Sequence, residues 1–310
     1  MFLEPNVNQY GSHMVMTNVS KNSKHKYVNI DTKFRDEYHN TDIANYNVTI
    51  PHRINEVKTV NVTNVEIPIT FFNISSHSGN NYFKLTNRTI NQSYMIVLAD
   101  GQYTTSSLVS EMDTKIGSHG TGDSDLIYYI SNSKSVFYTN NDLFTIDFAV
   151  DSNGNFDKYN FKSKLGWLLG FRNLSYNVDY FYTDNPAPGT GPDGQPLLIS
   201  EYMVNLIGTK YLYLAIDEFS SGNQNSFVSM LPTSLINKNI IARITMDYVS
   251  HPYGSLLPAN RMNGLLTSDI RSFTGKIDMQ KLNIQLLDEN GSIVALNGYD
   301  FSFLMEIIHE

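Results

Sequence analysis

Apolar and polar residues alternate along many short segments of this chain of 310 residues. The clearest case is FTIDFAV, in which Phe144, Ile146, Phe148 and Val150 occupy every second position. Successive side chains of a β-strand point to opposite faces of a sheet, so this period of two predicts a strand with one buried face. Roughly a dozen segments share the pattern, and turn residues separate them. The alternation therefore predicts an all-β protein with antiparallel sheets.

One segment, Thr104–Ile116, has the spacing of a helix instead. Leu108, Met112 and Ile116 lie four residues apart on one stripe, a threonine can cap the start, and Gly117 follows the end. Strands and helices do not alternate along the chain as they would in a parallel sheet. The predicted fold class is therefore an all-β, antiparallel jelly-roll sandwich with one short helix and long surface loops.

The early strands contain a change of phase. Tyr46–Ile50 alternates up to Pro51, and a second strand is predicted over Val57–Ile67. Within it the apolar positions change from even to odd numbers at Thr63-Asn64. One extra residue on one strand of a pair has this effect, so the sequence predicts a β-bulge there.

The segment 281–308 predicts a three-strand antiparallel block that closes the chain. Its apolar residues alternate, and Asn290-Gly291 and Asn297-Gly298 interrupt them. Asn and Gly tolerate the positive φ angles of a two-residue hairpin loop. If Asn290 and Gly291 form such a loop, Leu287 lies opposite Val294.

The remaining segments predict the domain organisation. Residues 1–24 are polar and lack periodicity, so we expect a flexible N-terminal arm. Residues 25–310 are predicted to form one jelly-roll domain. Pro- and Gly-rich or polar stretches predict loop insertions near 184–196 and 250–275. A short strand is predicted between them at Tyr202–Leu206.

Composition and charge exclude several classes of function. The chain has 22 Lys and Arg against 30 Asp and Glu, a net charge of −8, which argues against nucleic-acid binding. It has no cysteine, which excludes disulfides, cysteine-ligated zinc and thiolate catalysis. Neither a signal peptide nor a stretch of about 20 apolar residues is visible, so we expect no secretion signal and no transmembrane segment. Only 17% of residues are charged, which suggests contact with other proteins or a biased, Asn- and Tyr-rich composition.

The sequence predicts no catalytic residue, no cofactor site and no metal site. Asp151–Asp157 resembles a calcium loop, but Phe156 replaces the required Gly and Lys162 replaces the bidentate Glu, so a plain turn is predicted. Gly189-Thr190-Gly191 lacks the Lys of a phosphate loop. The charged cluster Asp31–Asp36 is predicted to be a solvated strand end, with an intersubunit salt-bridge patch as the alternative. The eight histidines show no paired metal-ligand spacing: His13, His25, His39, His52, His77, His119, His251 and His309.

Three stretches together carry a resemblance. They are Val28–Asp36 (VNIDTKFRD) with Val65–Pro68 (VEIP) downstream, Leu165–Arg172 (LGWLLGFR), and Leu286–Phe303. In order and spacing they resemble the penton and minor capsid proteins of nucleocytoplasmic large DNA viruses, the giant icosahedral viruses. The likeness covers most of residues 27–308. In Leu165–Arg172 the two glycines also predict close approach of neighbouring backbone.

The resemblance implies a jelly-roll protein of the virion shell without enzymatic activity. In that family, five copies of the penton protein close each icosahedral vertex against trimers of the major capsid protein. The implied partners are therefore further copies of this chain in a homopentamer, the major capsid protein and other minor capsid proteins, and the implied location is the capsid. A double jelly roll would need a longer chain, which favours a penton or minor component.

Two alternatives stay open from the sequence. One is a minor capsid protein, cement or inner shell, away from the vertices. The other is a carbohydrate- or receptor-binding β-sandwich that uses tyrosines and the single Trp167 as stacking platforms. Sugar binding predicts that Trp167 is exposed in a groove, whereas the structural interpretation predicts that it is buried among Leu165, Leu168 and Leu169.

Overall fold

The computed structural model describes residues 22–118, 126–179, 197–219 and 239–310. The strands are β1 (Lys24–Asp31), β2 (Asn45–Pro68), β3 (Tyr82–Asn87), β4 (Gln92–Val97), β5 (Leu126–Ser131), β6 (Lys134–Thr139), β7 (Phe144–Asp147), β8 (Ser175–Val178), β9 (Leu198–Ile199), β10 (Tyr211–Asp217), β11 (Ile240–Thr245), β12 (Leu256–Asn260), β13 (Leu266–Ser268), β14 (Arg271–Leu287) and β15 (Ser302–His309). The helices are α1 (Thr105–Gly117) and the short α2 (Leu165–Leu168), and 3-10 turns lie at Thr32–Phe34 and Phe161–Ser163.

The largest sheet combines strands from the early and late parts of the described chain. Its order is β1-β15-β2-β14-β10-β11-β13, and β12 pairs with β2 beside this path. The middle of the chain forms two smaller sheets, β4-β3-β7-β8 and β5-β6-β9. The strands that pair in these sheets run antiparallel. The predicted fold class, an all-β jelly-roll-like protein of antiparallel sheets, is confirmed, and the described residues contain the four-residue α2 besides the one helix that was predicted.

Two main clusters of buried side chains follow this division. The first lies on the large sheet and draws on residues 30–71 and 212–307. The second, from residues 74–178, packs α1 and α2 against the two smaller sheets. The prediction of one domain over 25–310 stays a prediction. The predicted arm and the loop near 184–196 lie outside the described residues, apart from the last residues of the arm.

Strand β2 is the centre of the large sheet. It runs for 24 residues, and Pro51, which we expected to end a strand, lies inside it. Pro51 falls where the register with β14 shifts, between the pairs Ile54–Met279 and Thr49–Lys281, and such irregularities tolerate proline. The predicted bulge is confirmed, because Asn64 pairs with Leu304 and Val62 with Met305, which leaves Thr63 as the extra residue.

The predicted three-strand closing block is wrong. Strands β14 and β15 do not pair with each other, since β2 lies between them and pairs with both. Alternation predicts which face of a strand is buried, but it does not identify the neighbouring strand. The predicted hairpin register is also wrong, because Leu287 bridges to Ile293 rather than Val294.

The turn at Asp288 explains the change of register. The backbone N–H of Gly291 donates to the carbonyl of Asp288 at 3.1 Å, and Gly291 has a φ of +83°. Asn290 does not share the positive φ, so the two residues do not form the predicted loop. The Asp288 carboxylate accepts the backbone N–H groups of Asn290 and Ser292, both at 2.8 Å, and this fixes the longer turn.

Replacing Asp288 with Asn is expected to increase the free energy of unfolding at pH 7. Burial raises the pKa of Asp288, although hydrogen bonds from Ser292, Asn290 and Gly291 act in the opposite direction. A raised pKa in the fold means that ionisation destabilises it, so stability is lost as the pH rises through that pKa. The amide keeps an oxygen acceptor for the turn without the charge. Urea unfolding of both proteins should show a gain at pH 7 that shrinks as the pH falls towards about 4. An equal difference at both pH values would contradict this explanation.

The predicted loop at 250–275 is wrong as well. It contains β12, β13 and the beginning of β14. In β12, Leu257 and Ala259 are buried and pair with Ile67 and Val65 of β2. Pro258 concealed this strand in the sequence, since proline is tolerated at the edge of a sheet but argues against a central strand.

The helix prediction is confirmed. Helix α1 spans Thr105–Gly117 and buries Leu108, Met112 and Ile116. The Thr104 side chain accepts the backbone N–H of Ser107, which completes the N-terminal cap. Among the described residues, none of the helices is long and apolar enough to cross a membrane.

Candidate contact surface around Trp167

Two glycines fix the position of α2 and the turn that follows it. A Cβ atom on Gly166 would lie 2.4 Å from Cγ of Phe148. A Cβ atom on Gly170, whose φ is +94°, would lie 2.1 Å from the carbonyl oxygen of Tyr202. The backbone N–H of Tyr202 donates to the carbonyl of Gly170 at 3.0 Å. The close backbone approach predicted for these glycines is confirmed at Gly170, whereas the neighbour of Gly166 is the side chain of Phe148.

Trp167 is half-buried, between the two alternatives that the sequence left open. Its ring packs edge-on against Phe161, with 6.0 Å between centroids, and borders the second buried cluster. The guanidinium of Arg172 lies 3.9 Å from the centroid of the same ring. One face of the indole is therefore covered by a cation, and a sugar ring cannot stack there.

Arg172 lies between two aromatic rings. Its guanidinium is also 4.5 Å from the ring centroid of Tyr202. One terminal nitrogen donates to the carbonyls of Trp167 at 3.1 Å and Phe171 at 2.8 Å. These bonds fix the orientation of the guanidinium, and stacking on both rings adds cation–π attraction.

Glu201 joins the two segments that carry the stack. Its carboxylate accepts the hydroxyl of Tyr176 at 2.6 Å, the side-chain amide of Asn173 at 3.1 Å and the backbone N–H of Arg172 at 3.1 Å. Burial and the hydrogen bond to Glu201 raise the pKa of Tyr176. A carboxylate with these three donors holds the loop in place, and we assign it a structural role.

The strand predicted at Tyr202–Leu206 is wrong, because this stretch is extended but has no regular strand pairing. Isolated hydrogen bonds hold it, including Ser200 N–H to the carbonyl of Ser135 at 2.9 Å and Val204 N–H to that of Ser133 at 2.8 Å. Apolar side chains are exposed in and beside this stretch, next to the exposed Glu201 and Asn205. The exposed fractions of the apolar side chains are 45% for Ile199, 59% for Tyr202 and 66% for Met203.

We call Trp167, Arg172, Ile199, Tyr202 and Met203 the Trp167 surface. Contiguous exposed apolar side chains mark contact sites on proteins, and aromatic residues, Met and Arg are enriched in such sites. The glycines of LGWLLGFR pointed to this region in the sequence. The roles of Arg172 and the 199–203 stretch could not be foreseen, since they depend on contacts between residues far apart in the chain.

Comparisons with known proteins found similar structures but no similar sequences. No protein-family model and no curated protein matches the sequence. Among solved structures, the chain is similar to the mavirus penton protein, with a TM-score of 0.45 and 8% sequence identity over 93% of this chain and 99% of that one. It is also similar to a chain in the cryo-EM structure of the Sputnik virophage, with a TM-score of 0.40 and 12% identity over 92% and 98%. Both neighbours are viral proteins.

The calcium-like segment forms a turn in the structure. The backbone N–H groups of Asn153 and Asn155 donate to the Asp151 carboxylate at 2.9 Å, and these bonds lower the pKa of Asp151. Gly154 takes a positive φ of 80° at the tip. Within the described ranges there is no group of three or more His, Asp or Glu that could hold a metal ion. Gly189-Thr190-Gly191 lies outside those ranges.

The Asp31–Asp36 cluster is only partly a solvated strand end. Asp31 and Lys33 form an ion pair of 2.9 Å near the surface. Arg35 is buried instead, and it donates to the carbonyls of Thr32 at 2.9 Å and Tyr38 at 2.8 Å. It therefore holds the segment after β1 in place, which the sequence did not indicate.

Proposed function

We propose that this chain is a structural protein of a viral capsid. Its specific role is the penton protein, a homopentamer that closes the five-fold vertices in contact with the major capsid protein. The observation that carries the proposal is the Trp167 surface, in which a stack of half-buried Trp167 and Arg172 on exposed Tyr202 lies close in the chain to the exposed apolar side chains of Ile199 and Met203. This composition is typical of the central residues of protein–protein interfaces. The sequence resemblance supplies the capsid setting.

The polar groups of this region support a role without enzymatic activity. Glu201 is occupied by three donors, and Arg172 is held by two carbonyls and two rings. General acid–base catalysis needs a titratable group that can reach a substrate proton. Both groups hold the local structure instead, which suits a contact surface.

Two other roles compete with the penton role. A minor capsid protein, cement or inner shell, would use the same kind of surface, and its position in the particle alone separates it from a penton. A carbohydrate-binding protein would need a free aromatic face, and Arg172 covers one face of Trp167 and one of Tyr202. The structure therefore favours the capsid roles over sugar binding.

A cryo-EM map of the source virion, averaged locally around the five-fold vertices, tests the proposal. We expect five copies of this chain at each vertex, recognisable by the long β2 strand and the side chains of the Trp167 surface. Vertex density that fits a different chain would exclude the penton role. Density for this chain elsewhere in the shell would establish the minor capsid role.

A glycan array tests the remaining alternative. The purified wild-type protein is expected to bind no glycan. Binding that is lost in Tyr202→Ala would support the carbohydrate-binding role, because Tyr202 is the more exposed ring of the stack. The matched control is Tyr299→Ala, since Tyr299 is equally exposed, at 60% against 59% for Tyr202, but lies outside the surface.

A further inference from the structure

Two lysines lie near the stack of the Trp167 surface. Nζ of Lys162 lies 6.0 Å from the centroid of the Trp167 ring. At the other end, Nζ of Lys134 donates to the carbonyl oxygen of Glu201 at 3.1 Å, next to Tyr202 in the chain. The order along the surface is therefore Lys162, Trp167, Arg172 and Tyr202, and Lys134 lies at the carbonyl of the residue before Tyr202. We call these five residues the cationic row.

The three cations of the row have no carboxylate partner within 4.0 Å among the described residues. Cations in other parts of the fold do, such as Arg53 with Asp278 at 2.6 Å and Lys164 with Asp157 at 3.1 Å. The carboxylate of Glu201 contacts the backbone N–H of Arg172 rather than its guanidinium. The row is a local positive strip on a chain whose net charge is −8.

We propose that the cationic row binds an acidic surface of a second copy of this chain. The inference rests on the proposed function, which requires copies to pack side by side. Two copies that each carry a charge of −8 repel one another, so close approach needs a local positive patch against a negative one. Ile199 and Met203, which are exposed and close to Tyr202 in the chain, supply apolar area that contact with the second copy buries.

The geometry favours carboxylates over nucleic bases or sugars as the groups bound. Bases and sugars bind by stacking on free ring faces, and the guanidinium of Arg172 already covers one face of each ring. Hydrogen bonds to two carbonyls hold one terminal nitrogen of Arg172. The remaining N–H groups of its planar guanidinium therefore have a fixed orientation. Such a fork matches the geometry of a carboxylate, and fixing it beforehand lowers the entropy lost on binding.

Charge reversal at the two ends of the row tests the inference. The variant Lys134→Glu/Lys162→Glu keeps Arg172 and both rings, and circular dichroism checks that it folds. The control, Lys158→Glu/Lys281→Glu, changes the net charge by the same amount at two exposed lysines without an ion pair in the described structure. Self-association is measured by sedimentation velocity over a range of protein and salt concentrations.

We expect the wild type and the control to self-associate with similar affinity, and the row variant to associate at least about tenfold more weakly. High salt should weaken the wild type towards the variant. Equal weakening of both variants would attribute the effect to net charge and overturn the inference. A wild type that stays monomeric, or that binds heparin or a single-stranded oligonucleotide through the row instead, would also overturn it. The penton role stands or falls separately on the virion map.

Discussion

Replacing Gly170 with alanine is expected to destabilise the protein by about 3 kcal/mol or more. Two effects add at this position. The φ of +94° is unfavourable for any residue with a Cβ atom, and that atom would lie 2.1 Å from the carbonyl oxygen of Tyr202. Backbone cannot move aside as a flexible side chain can, so the turn after α2 and the 199–203 stretch must separate. Urea denaturation of the two proteins gives the difference.

Gly254→Ala is the matched control for this prediction. Gly254 has a φ of +85°, but a Cβ atom there would meet nothing within 4 Å. The control therefore measures the backbone strain alone, about 1 kcal/mol. A similar loss in both variants would show that the contact with Tyr202 relaxes without cost, and would contradict the tight packing described for the Trp167 surface.

Replacing Arg271 with methionine is expected to destabilise the protein by about 3–5 kcal/mol. Arg271 donates to the Glu218 carboxylate and to the carbonyl of Ile216, both at 2.8 Å, and to the carbonyl of Asn239 at 2.7 Å. Both charged side chains are almost fully buried, with exposed fractions of 5% and 2%. Without the arginine, the Glu218 carboxylate stays buried and loses this cation, and two carbonyls lose a donor.

Two further variants test whether the buried charge causes the loss of stability in Arg271→Met. Arg53→Met breaks an ion pair with Asp278 whose side chains are 58% and 40% exposed, so we expect little change in the free energy of unfolding. Adding Glu218→Leu to Arg271→Met removes the stranded charge and should recover much of the loss. A double variant as unstable as Arg271→Met alone would show that the lost carbonyl contacts, rather than the buried charge, dominate.

The local features of this fold could be predicted from the sequence. A period of two marked the strands, a period near four marked α1, and a change of phase at Thr63-Asn64 marked the bulge. Each of these signals lies within a few residues of the structure that it predicts. The order of strands in the large sheet could not be predicted, because the residues that pair with β2 lie 188 or more positions later in the chain, and alternation is the same for every possible neighbour.

In the candidate site, too, local features could be predicted from the sequence and contacts between distant residues could not. The two glycines of LGWLLGFR indicated a close backbone approach before any contact was known. Nothing in the sequence indicated that Tyr202 would be the partner, since the strand predicted over Tyr202–Leu206 did not identify its neighbours. Pro258 had the opposite effect, because it made an edge strand look like a loop.

The central position of β2 has a consequence for how the protein forms during synthesis. Strand β15 pairs with β2 on one side and with β1 on the other, and in the second pair Lys24 lies opposite His309. Strands β1 and β2 leave the ribosome early, yet their partners are made last. We expect the middle of the chain, β3 to β8 with α1, to fold first because its strand pairs are closer in sequence. Until the later strands are made, both edges of β2 stay unpaired. Ribosome-bound chains that stop before β15 should therefore expose β2 to proteases and chaperones, and release of the full chain should protect it.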